Sequence, residues 1–135
     1  MVTARRHLVL ILAREFATRL ATAMLVVDAD GNVVFYNEPA EEVLGLSYAE
    51  GGSMTASDWE SLFQVEDAEG NSIPLEQMPA GIALLERRPA HGDVRITGQD
   101  EVRRALAVTA FPLFAREDEF VGAVAIFWQD PDADA

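Results

Sequence analysis

The chain has 135 residues, half of them apolar, with 10 basic against 23 acidic residues and no cysteine. That length supports one domain with a single sizeable core, and the acid excess argues against a nucleic-acid partner, because phosphate binding needs a basic face. The missing thiol removes disulfides, thiolate metal sites and cysteine nucleophiles.

Residues 5–20 contain no glycine or proline and read as a helix. This end is basic: residues 1–20 carry a balance of +3, and the remainder −16. At about 100° per residue, Val9, Leu12, Ala13, Phe16 and Leu20 share one stripe, while Leu8, Leu10 and Ile11 point elsewhere. One sheet covers only one stripe of a helix, so the other apolar side needs a second surface. Residues 1–20 are therefore expected to be an amphipathic dimerisation helix, with Leu8, Leu10, Ile11 and Leu12 at the interface of a homodimer. The alternative is full burial within a monomer. The apolar run 8–13 ends at Arg14 and Glu15, too short for an export signal or a bilayer span. No membrane association and a cytoplasmic location are the expectation.

Residues 24–28 and 33–36 read as a hairpin joined by the Asp30-Gly31-Asn32 turn. Asn37 is placed to cap a short helix, Pro39 fits its first turn, and Gly45 permits the left-handed end. Ser57-Asp58-Trp59-Glu60 has capping-box spacing, predicting a helical turn through Trp59, Leu62 and Phe63. Residues 65–71 read as a polar turn. A helix over 79–88 should point Ile82, Leu85 and Met78 inward and stop at Pro89. Strands are expected over 94–97, 104–111 and 121–128, separated by polar turns at 98–101 and 115–119. Pairing should weaken at Pro112, which has no N–H to donate. Residues 131–135 form an acidic tail expected to be disordered.

Three segments in this order resemble a PAS domain, a sensory and protein-interaction module. They are the stretch from Asp28 to Gly45, the proline-bracketed Ile73-Pro74-Leu75-Glu76-Gln77-Met78-Pro79, and Ala107-Val108-Thr109-Ala110-Phe111-Pro112-Leu113 leading to Val121-Gly122-Ala123-Val124. The second is similar to the approach to the long helix in one bacterial subfamily. The resemblance covers 21–130. It implies an α+β fold: a five-stranded antiparallel sheet with short helices on one face, a possible ligand pocket, and an N-terminal flanking helix through which members commonly dimerise.

One scaffold hosts many functions, and the family's members hold flavin, haem, a chromophore or a small metabolite, or stay empty. The photochemical flavin and hydroxycinnamate subclasses require a cysteine for their adduct, which this chain lacks. Haem needs an axial ligand, and the histidines are His7, in the flank, and His91, read as part of the loop after the long helix. Tyr36, Trp59, Met78, His91 and Arg95 are the candidate ligand-binding residues, Arg95 as a carboxylate partner, with Trp128 a further aromatic. No tightly bound cofactor and no metal are expected; a haem or flavin sensor is the alternative. No catalytic residues are expected either. Asp28 and Glu38 are the nearest candidates for acid–base work, but Asp28 is better explained by the hairpin turn and Glu38 by the helix dipole. The reading is a sensory module that homodimerises and relays ligand or partner binding to a separate output protein. Its rival is an interaction scaffold without a ligand.

Overall fold

The computed structural model describes residues 2–48, 54–116 and 118–130. One antiparallel sheet contains β1 Ala23–Asp28, β2 Val33–Tyr36, β3 Gln64–Glu66, β4 Ala90–Thr97, β5 Arg103–Phe114 and β6 Phe120–Gln129, in the order β2-β1-β6-β5-β4-β3. Helix α1, Val2–Thr18, precedes the sheet. Between β2 and β4 lie α2 Glu38–Leu44, α3 Ala56–Leu62, a 3-10 turn Leu75–Gln77 and α4 Pro79–Leu85. The α+β expectation holds, with six strands instead of five. β3 escapes a sequence reading because a three-residue strand is too short to show alternation.

The local signals between Asp28 and Gly45 act as expected. The Asp28 carboxylate accepts from the Asp30 and Asn32 amides, both at 3.0 Å, closing the β1–β2 turn. The same arrangement recurs where Asp67-Ala68-Glu69-Gly70-Asn71 repeats the pattern of Asp28-Ala29-Asp30-Gly31-Asn32: Asp67 accepts from Glu69 and Asn71, both at 2.9 Å. The Asn71 backbone N–H, more than any other neighbour, holds the Asp67 carboxyl below its ordinary pKa.

Asn37 does more than cap α2. Its Oδ1 accepts from Ala40 N (3.2 Å) and Met24 N (3.0 Å), while its Nδ2 donates to Ala17 O and Thr22 O, both at 2.9 Å. One buried amide thus joins the end of α1, the start of β1 and the start of α2.

Other elements differ from expectation. The capping box of α3 belongs to Thr55 and Asp58, two residues earlier than the Ser57 reading. Helix α4 ends at Leu85, with Arg87 at φ 57°, and buries Pro79, Gly81 and Ala83 while Leu85 is exposed. Gly81 is required there, because a Cβ would sit 1.6 Å from the carbonyl oxygen of Leu75. β4 starts at Ala90, so His91 is on a strand and not in a loop. β5 continues through Pro112, which pairs with Ala123; β4 has already ended opposite Ala110, so the proline has one strand neighbour. The irregularity comes just after, between Leu113 and Phe114.

Both faces of the central sheet are covered. On one, Leu25, Val27, Val94, Leu106, Val108, Ala125 and Phe127 pack with Leu44, Phe63 and Ala83 of the helical connection. On the other, Met24, Val26 and Val124 pack with Ala17, Leu10, Ala13 and Leu20. The seated face of α1 is therefore Leu10, Ala13 and Ala17, rotated by roughly a quarter turn from the predicted stripe. Leu10, expected at the interface, is partly buried against this cluster, and Phe16, expected on the inward stripe, is exposed. The 131–135 tail and the His7 side chain lie outside the described residues.

Candidate functional site

Between the sheet and the helical connection lies a cavity of about 110 Å³. Its floor is strand side chains of one parity: Leu25 and Val27 of β1, Val94 and Ile96 of β4, Leu106 and Val108 of β5, Ala125 and Phe127 of β6. Its roof comes from Leu44, Ala56, Trp59, Leu75, Met78 and Leu84. Among the described residues, the solvent-exposed Glu60 is the sole ionisable one lining it. Trp59, Glu60, Val65 and Met78 also line an open groove bounded by Gln64, Glu66, Ser72 and Pro74, and so form the partition between cavity and outside. Trp59 is held by Phe63, whose ring centroid lies 4.6 Å away.

Of the expected ligand residues, Trp59 and Met78 line the cavity. Tyr36 is buried beside it, edge-on to Tyr48 at 5.4 Å, and does not reach it. His91 and Arg95 do not line it either. They share the strand parity opposite to Val94 and Ile96, which puts them on the other face of β4. His91 there neighbours Trp128, with ring centroids 6.3 Å apart. Among the described residues there is no cluster of histidine or carboxylate groups able to hold a metal, and no helix is long and apolar enough to cross a membrane.

The β4–β5 turn ties the roof to the sheet. Gln99 donates from its backbone to Leu44 O (2.8 Å) and from its side chain to Leu62 O, reaching the ends of α2 and α3. Arg104 donates to Val43 O (3.0 Å) and pairs with Asp100 at 2.8 Å. The Arg104 hydrogen bond is the main cause holding the Asp100 carboxyl below its ordinary pKa. Gly45, at φ 66°, lies against this turn: a Cβ would be 2.6 Å from the Asp100 amide nitrogen.

An antiparallel sheet with helices arched over an apolar cavity defines the architecture. A family model described as PAS domain matches residues 21–130, and the chain belongs to that family. The fold is similar to the PAS domain of a Colwellia psychrerythraea protein (16% identity, 91% of this chain and 98% of that one, TM-score 0.63). It is also similar to the PAS domain of nitrogen regulation protein NR(II) from Vibrio parahaemolyticus (17% identity, 88% and 98% covered, TM-score 0.57). A third similar structure is the Rhodobacter sphaeroides LOV protein (16% identity, 95% and 67% covered, TM-score 0.64). No curated protein sequence matches the chain.

Proposed function

We propose that this chain is a sensory PAS module that works as a homodimer, responding to occupancy of its cavity and passing the response by contact to a separate output protein. The observation that carries this reading is the position of α1. Its inner face rests on the sheet through Leu10, Ala13 and Ala17, while Leu8, Ile11, Leu12 and Phe16 are 54%, 51%, 59% and 57% exposed on the opposite side. A stripe of four large apolar side chains in water favours a partner, and a two-fold pair covers the same stripe on both copies.

The sheet supplies a route between cavity and stripe. On β1, Leu25 and Val27 face the cavity while Met24 and Val26 carry α1; on β6, Ala125 and Phe127 alternate in the same way with Val124 and Ile126. A ligand that prefers one spacing of these strands biases the seat of the helix, provided two arrangements differ in affinity for it. The similar structures, among them a PAS domain from a two-component sensor histidine kinase, support a place in signal transduction. A binding role is favoured over an enzymatic one because the Asp28 carboxylate is engaged by the amides of its own turn.

Sedimentation of the native chain against an Ile11→Glu/Leu12→Glu variant tests the dimer. Both residues are exposed, so the variant should stay folded and sediment as a monomer. A native chain that is monomeric at micromolar concentration would refute the proposal.

A further inference from the structure

We propose that the cavity takes a small, uncharged, apolar molecule about the size of benzene, admitted past Trp59 and Met78. The size argument is direct. The void measures about 110 Å³, whereas an engineered apolar cavity of about 150 Å³ stays dry and binds benzene or xenon. Ligand sites for drug-sized molecules run from about 300 Å³ upward, so a haem macrocycle or a tricyclic flavin does not fit without rebuilding the roof. The polarity argument is independent of size. Leucine, valine, isoleucine, alanine and phenylalanine form the floor, and none of them offers a hydrogen bond. A carboxylate or phosphate placed there would lose its water with nothing in return. The ionisable group at the rim among the described residues, Glu60, is itself an acid and repels an anion.

The roof is also the side that opens. Trp59 and Met78 belong to both the cavity and the outer groove. α3, which carries Trp59, has no fully buried residue among its seven, so it has little packing to lose when the partition parts. Such a molecule would be the stimulus of the sensory module proposed above, on which its biological meaning rests. Its binding is read without reference to signalling.

The experiment titrates benzene into the full chain and follows methyl NMR signals. Saturable shifts are expected at Leu106, Val108 and Leu25, with Leu12 on the exposed side of α1 serving as the distant control. Benzoate, the same ring with a carboxylate, should bind at least about tenfold more weakly at neutral pH. Ala125→Leu, which fills the void from the floor, should weaken benzene by about tenfold or more. If that variant does not fold, Ala80→Leu at the edge of the cavity gives the same reading. Absence of saturable shifts up to the solubility of benzene overturns the inference, as does benzoate binding equal to or tighter than benzene. Saturable benzene binding supports the site whether or not sedimentation or α1 exchange responds; a lack of response there counts against the relay alone.

Discussion

Asn37 is the side chain whose removal should be felt at most places at once. It is 3% exposed and makes four hydrogen bonds, to Met24 N, Ala40 N, Ala17 O and Thr22 O. Replacing it with alanine removes a helix cap, worth about 1 kcal/mol. It also takes the side-chain partner from the Met24 amide and the Thr22 carbonyl, at about 1 kcal/mol each when burial prevents water from replacing it, while Ala17 O keeps the Leu20 N–H at 3.2 Å. Partial hydration at the chain ends lowers the sum, and the expected loss is about 2 kcal/mol. Asn37→Asp separates the halves. Its carboxylate can still accept from Met24 and Ala40, but it presents an acceptor where Nδ2 donated, facing two carbonyl oxygens. Folding then favours the protonated acid, so the folded pKa of that new group is raised. The variant should be most stable, relative to the native chain, at acidic pH and lose ground as pH rises through that value. Urea unfolding at fixed protein concentration, followed by circular dichroism, gives both numbers. Hydrogen exchange should show faster opening at the end of α1, while the β4–β5 pairing keeps its protection. A loss below about 1 kcal/mol for the alanine variant would mean that these bonds are replaceable by water and refute the reasoning.

Gly81→Ala should cost about 2–3 kcal/mol, since the new methyl meets backbone rather than a movable side chain; thermal unfolding no different from native would contradict the close approach of α4 to the 3-10 turn. Asp67 and Asp100 both have folded pKa values below the ordinary carboxylate range. Their contribution is present above the unfolded value, about pH 4, and is lost as pH falls through the lower folded values. An Asp67→Asn/Asp100→Asn chain should therefore show a flatter stability profile than native in acid, and parallel profiles would remove these two groups as the cause.

What could be read in advance follows the range of the forces involved. The Asp28-to-Gly45 segment was legible because turn, cap and helix end are each decided by residues within a few positions. The seating of α1 was not. Its apolar residues lie on two opposed faces, so no single stripe stands out, and only the sheet beneath selects Leu10 over Leu12. Trp59, nominated as an aromatic, and Met78, expected to point inward ahead of the fourth helix, do line the cavity, but its floor escapes a sequence reading. Its residues come from four strands, and strand parity depends on which way each face turns. One signal was available: residues 24–27 and 123–128 are almost continuously apolar, which in an antiparallel sheet means cover on both sides. His91 and Arg95, nominated for their chemistry, lie on the face of β4 opposite the cavity; the parity of Arg95 follows from the expected strand, that of His91 only once β4 is seen to begin at Ala90.

The doubly covered centre of the sheet also constrains how this sequence can drift. Along β4, charged residues alternate with buried ones at Asp93, Val94, Arg95 and Ile96, so that only every second position is held by the core. Along β6, the run from Phe120 to Ala125 is buried without a break. Neighbouring positions there answer to different masters, one to the shape of the void and the next to the footing of α1. A mutation that tunes what the cavity admits can therefore leave the helix seat intact, and the reverse, although the two sites are one residue apart.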